Sequence, residues 1–178
     1  MASEIGVQTI QHTNGTDAMT IDSSGRVSRP VIPSFLVGLS ASYSHSNAAL
    51  LQYNTISDGG HNTGGHFSLT NYKFTAPLAG TYYFFARASI ATGEKTRRAD
   101  VKMKKNNSNV NTSFAARFNL DGTNTGGSSY LGLGGSWVIE LAANDTIAFE
   151  LNWETDGTFD ATESVFYHGT YACGYFIG

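Results

Sequence analysis

Residues 72–85 read Tyr72-Lys73-Phe74-Thr75-Ala76-Pro77-Leu78-Ala79-Gly80-Thr81-Tyr82-Tyr83-Phe84-Phe85. Pro77 fixes φ and lacks an amide hydrogen, so strand pairing ends there. Gly80 permits a tight turn into the next segment. Beyond it, Tyr82, Phe84, Ala86 and Ala88 alternate with Tyr83, Phe85 and Arg87. Alternation with period two is the mark of a strand. In an ordinary sandwich strand one face is apolar and the other polar. Here both faces are aromatic, so the second face needs a cover of its own. An uncovered aromatic patch marks an interface. The segment from Tyr171 to Ile177 repeats the pattern, with Tyr171, Cys173, Tyr175 and Ile177 on one side and Phe176 on the other. Two such strands predict an obligate oligomer, with coverage by a loop or by the N-terminal segment as the alternative.

Outward from this stretch the chain keeps the same character. Strands are expected near 35–39, 48–53, 67–74, 81–90, 99–105 and 113–120. Four more are expected near 128–133, 136–141, 146–153 and 164–177. Ten short strands without a convincing helix predict a β-sandwich or barrel. Ile147, Phe149, Leu151 and Trp153 alternate with Ala148, Glu150, Asn152 and Glu154, a core face against a water face. Trp137 sits likewise in register with Ile139 and Leu141, which assigns both tryptophans to packing rather than to sugar stacking. Residues 59–65 and 121–127 are glycine-rich and read as loops.

Composition agrees. Charged residues make up only 14% of 178, while glycine accounts for 20 residues and aromatics for 12%. Surface polarity therefore comes from hydroxyls and amides. The aromatic content excludes a disordered chain. No apolar run is long enough for a membrane-spanning helix, and a net charge of −3 argues against a general nucleic-acid binder. Cys173 is the single cysteine, which excludes an internal disulfide framework and a cysteine-based zinc site. Met1-Ala2-Ser3-Glu4 lacks the basic and apolar regions of a secretory signal.

Residues 1–33 stand apart. Two strand-like runs flank the turn Asn14-Gly15, and Pro30 and Pro33 bracket a linker. Val7, Ile10, Met19, Ile21 and Val27 are too few to form a core alone. They are the expected attachment residues, shared between chains or added to a neighbouring protein. The remainder, 34–178, is the expected main domain.

Several motifs carry a resemblance. Residues 72–85 are similar to the signature of the complement-type globular head domain, in the tumour necrosis factor-like superfamily: an apolar strand, a Phe-x-x-Pro-x-x-Gly turn, then Tyr-x-Phe. Tyr53-Asn54, the strand from Val101 ending at Lys105-Asn106, the turn from Leu141 to Ile147 and the closing Gly174-Tyr175-Phe176-Ile177-Gly178 resemble further parts of it. Asn144 stands where that family has glycine. The resemblance implies an all-β, ten-stranded jelly-roll sandwich that assembles as a homotrimer, with Tyr83, Phe85 and Phe176 at or beside the threefold contact. Residues 9–27 resemble short β-repeats of bacteriophage fibre proteins. That implies a virion structural protein, a short β-stalk bearing a knob, acting as a tail-fibre or fibre-tip component. A head fibre or capsid decoration protein is the alternative within that class, and a cellular or secreted recognition module is the alternative outside it.

Chemistry is sparse. There is no phosphate-binding loop and no Gly-x-Ser-x-Gly elbow, and no enzyme activity, cofactor or metal is expected. Asp58, His61 and His66 share one glycine-rich segment, which reads as a polar tip rather than a metal site. Asp156, Asp160 and Glu163 form an acidic loop without calcium-loop spacing. Lys95, Arg97, Arg98, Lys102, Lys104 and Lys105 are six of the eleven cationic residues. They are either the solvated face of a strand or, tripled in a trimer, a basic belt attracting anionic surface polysaccharide. Arg97, Arg98, Lys102, Asp58, His61 and His66 are the candidate receptor contacts. The expected partners are two further copies, other virion proteins through residues 1–33, and host surface glycan.

Overall fold

The computed structural model describes residues 6–29, 32–56, 59–92, 96–110, 117–119, 129–155 and 162–178. Its backbone falls into two units, Met1–Ile32 and Pro33–Gly178. The first is a three-stranded antiparallel meander of β1 (Thr9–Gln11), β2 (Asp17–Ile21) and β3 (Val27–Ser28). Its turns lie where glycine supplies a positive φ, at Gly15 and Gly25. The second turn is tied by Asp22, whose Oδ1 accepts the amide hydrogens of Ser24 and Arg26, each at 2.9 Å.

The second unit contains thirteen strand segments among the described residues. They are β4 (Ser34–Gly38), β5 (Tyr43–Ser46), β6 (Ala49–Leu50), β7 (His61–Thr63), β8 (Phe67–Ser68), β9 (Lys73–Thr75), β10 (Gly80–Thr92), β11 (Thr96–Lys105), β12 (Ser108–Asn109), β13 (Arg117–Asn119), β14 (Ser129–Leu141), β15 (Thr146–Thr155) and β16 (Thr162–Phe176). Two antiparallel sheets result. One has the order β14-β10-β16-β4-β7, with β5 also paired to β16. The other has the order β12-β11-β15-β9-β8, with β13 on β11 and β6 on β15.

The sheets face each other across an aromatic core. From the first come Phe35, Val37, Tyr82, Phe84, Ile90 and Trp137; from the second come Phe67, Phe74, Val101, Met103, Phe149, Leu151 and Trp153. Phe84 sits among Phe35, Phe74, Tyr82 and Phe149, with ring centroids 5.5–6.4 Å apart. Gly174 is part of this packing. A Cβ there would lie 2.5 Å from Phe84 Cδ1 and 2.7 Å from Phe35 Cε1, so only glycine lets both rings approach the strand.

Differences from the expected strands have local causes. The glycine-rich stretch expected to separate two strands instead runs unbroken through β14. Gly132, Gly134 and Gly135 pair in register with Ser89, Arg87 and Ala86. A Cβ on Gly132 would strike the Arg87 guanidinium at 2.4 Å, so these glycines make room for a neighbour rather than a bend. His61–Thr63, expected as loop, forms β7, and the chain turns only at Gly64 and Gly65, both at positive φ. The expected run 67–74 is cut into β8 and β9 by a turn carrying Tyr72 at φ 57°. The water face of β15 is largely covered: Glu150 is buried and accepts from Lys104 Nζ at 2.5 Å and Asn152 Nδ2 at 2.7 Å.

Candidate interaction surfaces

The outer face of the first sheet is built by register. Val138, Tyr83, Tyr175 and Ser34 are successive cross-strand partners in one row. Ser136, Phe85, Cys173 and Leu36 make the next, and Gly134, Arg87, Tyr171 and Gly38 the third. Side chains paired this way share a face, so one surface gathers Tyr83, Phe85, Tyr171, Tyr175, Val138 and Leu36. Tyr83 and Tyr175 have ring centroids 5.2 Å apart, and Phe85 and Tyr171 5.5 Å. Val138 is 66% exposed and Tyr175 47%, high values for apolar groups within long strands. Burial pushes the Cys173 thiol upward, so it behaves as a small apolar group.

Phe176 does not join this surface. It lies on the Tyr82 side of the sheet, rings 5.1 Å apart, and packs against the core edge. The alternation Tyr175–Phe176–Ile177 decides this, because Tyr175 pairs with Tyr83 and Phe176 with Tyr82. Together with the carbonyl of Gly178, Phe176 instead fills the space beside Gly80, where a Cβ would lie 2.6 Å from Phe176 Cε2. Gly80, at φ 143°, is therefore fixed as glycine by backbone and by contact.

Among the described residues the candidate receptor positions fall on different elements. His61 stands on β7 at the flank of the aromatic face, partner to Leu36, with Nε2 3.1 Å from Ser34 Oγ. His66 lies past the turn, its ring against Gly64. Asp58 lies outside the described residues, as do Lys95, Asp156 and Asp160. Lys102 belongs to the other sheet, on β11, and Arg97 and Arg98 precede it on the same strand.

The basic belt is interleaved with carboxylates. Lys102 pairs across the ladder with Glu150, and Arg98 with Glu154. Lys104 forms an ion pair with Glu150. Lys105 Nζ lies 2.8 Å from Asp145 Oδ2. Two of the sequence motifs meet there. Asn106 and Asn144 both adopt positive φ, which asparagine tolerates. Asn106 Nδ2 donates to Asp145 Oδ1 at 2.7 Å, and the Ala142 amide donates to Asp145 Oδ2 at 2.8 Å. Lys105 and these donors hold the Asp145 carboxyl down at about 2. The Lys105-Asn106 and Asn144-Asp145 turns are thus one interlocked structure that ends the second sheet.

One polar group in the interior gave no signal in the sequence. His45 is 1% exposed, with its ring 5.7 Å from Trp153. The Tyr43 hydroxyl accepts the Gln52 amide hydrogen at 3.1 Å and lies 2.9 Å from His45 Nδ1. Nδ1 is thereby satisfied by the phenol, whichever of the two carries the hydrogen, while Nε2 makes no hydrogen bond of ordinary geometry. Burial pushes Tyr43 up to about 12 and His45 below the usual histidine range. Spacing of two in a short run, Tyr43-Ser44-His45-Ser46, is the only trace this pair leaves in the sequence. Among the described residues no three histidine, cysteine or carboxylate side chains are grouped to hold a metal.

Comparison with known proteins adds to the geometry. A family model described as C1q domain matches residues 34–169. The globular domain of zebrafish complement 1qA protein superposes with a TM-score of 0.53 at 18% identity, over 83% of this chain and 98% of that one. The tumour necrosis factor Eiger from S. frugiperda superposes with a TM-score of 0.53 at 9% identity, over 84% of this chain and 94% of that one. A search of curated proteins finds no match.

Proposed function

The chain belongs to the C1q domain family, and on that premise we propose that it is a non-catalytic, homotrimeric recognition module built on a jelly-roll knob. The observation that carries the proposal is the outer face of the sheet β14-β10-β16-β4-β7. Tyr83, Phe85, Tyr171, Tyr175, Val138 and Leu36 form one apolar surface that the described residues of their own unit leave partly open. Fully burying one such side chain is worth about 1.5–3 kcal/mol. Three copies arranged about a closed threefold axis cover that face on every chain, whereas an open arrangement would polymerise. Recognition then falls to the loops and to the other sheet, each displayed three times, so that weak single contacts add up to avidity.

In its finer form the proposal places this knob at the end of a virion fibre, joined to the particle through residues 1–33. The likeness of residues 9–27 to fibre repeats supports that placement. A cellular recognition module is the second reading, favoured by the family membership itself. Arg97, Arg98 and Lys102 on β11 are the residues proposed to meet anionic surface glycan. Glu154 and Glu150, opposite Arg98 and Lys102 in the ladder, predict a shallow salt dependence rather than a steep one.

Sedimentation tests the assembly. The wild type should run as a trimer at micromolar concentration, and Tyr83→Ser with Phe85→Ser as a monomer or aggregate. A stable wild-type monomer refutes it. Antibody against residues 35–178 that labels no viral particle would turn the finer reading toward the cellular one.

A further inference from the structure

The meander of residues 6–29 has two unlike sides, and the register shows which residues make each. Ile10 is the cross-strand partner of Met19, and Ile21 of Val27. Met19 and Ile21 are two positions apart on β2, so all four side chains project to one side. Thr9, Thr20 and Ser28 are successive partners across the three strands and project to the other. One side is thus aliphatic, and the other carries a row of hydroxyls. Ile10 is 48% exposed and Val27 56%, so the aliphatic side is not covered within its own unit. Val7, 40% exposed, precedes β1 and is not one of the paired positions.

Charge avoids the aliphatic side. Arg26 Nε is held 2.6 Å from Asp22 Oδ2 in the β2–β3 turn, and Asp17 Oδ1 accepts from Gln11 Nε2 at 2.5 Å across the other. The patch therefore offers nothing that a charged partner would select, and matches another aliphatic surface of the same kind. We propose that its occupant is the same sheet from the two other chains of the trimer, the three meanders closing a three-sided prism with Ile10, Met19, Ile21 and Val27 inside.

The fold supplies the reason for that occupant. The polypeptide enters the knob at Pro33 and Ser34. Phe176 N donates to Pro33 O at 3.1 Å, and Ser34 pairs with Tyr175 in the first row of the aromatic face. Three chains joined through that face have their entry points tied to one contact. Each meander is then held at high effective concentration near its two copies. Four aliphatic side chains cannot stabilise a separate fold, but three sets pooled around an axis can exclude water. This inference rests on the trimeric reading above.

The test uses the full chain. Amide exchange should show protection across residues 9–28 in the wild-type trimer. Met19→Asp with Val27→Asp should lower that protection by about tenfold or more, while the sedimentation of the trimer is unchanged. As a second measurement, Val27→Cys in a Cys173→Ser background, treated with a short bismaleimide, should give covalently linked dimers, the limit for one thiol per chain and a two-armed linker. A monomeric wild type overturns the trimeric reading and this inference with it. A trimer in which residues 9–28 exchange like a free peptide, or in which Val27→Cys chains do not cross-link, overturns this inference alone.

Discussion

Gly174→Ala adds a single methyl group to the middle of β16, and the structure gives its cost. The new carbon would lie 2.5 and 2.8 Å from Cδ1 and Cε1 of Phe84, and 2.7 Å from Cε1 of Phe35. Ordinary carbon contacts begin near 3.4 Å, so both rings must retreat by more than half an ångström. Neither has room. Phe35 is tilted against Phe67 at 4.8 Å and stacked on Phe74 at 5.4 Å, and Phe84 is enclosed by Phe74, Tyr82 and Phe149. The strand cannot shift either, because it is hydrogen-bonded to β10 on one edge and to β4 on the other. Overpacking of this kind costs about 1–3 kcal/mol. Alanine recovers about 0.4–1 kcal/mol by restricting the unfolded chain, since Gly174 has no left-handed φ to preserve. The net expectation is a loss of about 1–2 kcal/mol. Denaturant unfolding at fixed chain concentration measures it, because an oligomer's midpoint moves with concentration. A rescue isolates the mechanism: Phe35→Leu vacates part of the space, so the double variant should be more stable than the sum of the single losses by about 1 kcal/mol. A Gly174→Ala protein as stable as the wild type, or strictly additive losses, would refute the packing argument.

Other expectations follow from the same packing and its charges. Val138→Asp is tolerated by an isolated knob, where Val138 is 66% exposed, but brings a carboxylate into a buried contact; sedimentation should show loss of the trimer with an unchanged far-ultraviolet spectrum. Burial lowers the His45 pKa, so the folded chain favours the neutral ring; stability should be full above about pH 6.5 and fall as pH drops through the lower folded value. His45→Gln should flatten that decline in melts taken between about pH 7.5 and pH 5. Asp145, held at about 2, contributes stability above about pH 4 that is lost as pH falls toward its folded value. Asp145→Asn should lower the melting temperature at neutral pH and remove that part of the acid dependence. Changing Arg97, Arg98 and Lys102 together to Ser should weaken adsorption to a glycan-bearing surface with the trimer intact; equal adsorption would make the belt a solvated strand face.

What the sequence disclosed depended on whether a signal was periodic. The two aromatic faces of β10 were visible because Tyr82-Tyr83-Phe84-Phe85 places large side chains on both sides of a period-two pattern. The all-β class, the Pro77–Gly80 turn and the sidedness of Trp137 and Trp153 came by the same route. Pairing was not visible. Nothing within β11 says that Lys102 and Lys104 lie beside Glu150, because the carboxylate is supplied by a strand more than forty positions later. For the same reason the cations looked freer, and Glu150 more exposed, than they are. Phe176 lies on the Tyr82 side of β16, opposite Tyr175; alternation gave the two sides but does not say which faces the core. The glycines of β14 looked like a break because their neighbour, the Arg87 side chain, comes from another strand. His45 was silent: one histidine in a short serine-flanked run has no pattern to betray burial.

The position of β16 sets an order of events. It lies between β10 and β4, and is the element that ties β14-β10 to β4-β7. Yet it follows all of its partners in the sequence. Until it is inserted, the first sheet is two separate ribbons, each with a bare edge capable of pairing with the wrong strand. Its partners are distant in sequence, so the loop that must close is long and insertion is slow. Tyr171, Cys173 and Tyr175 arrive with it, so half of the aromatic surface is missing before that step. In the proposed trimer, a chain still lacking β16 would bring only half of that aromatic surface to its neighbours. The window of risk is instead the interval between the emergence of β10 and the docking of β16, when unpaired edges compete with the final strand and a chaperone would find most to hold.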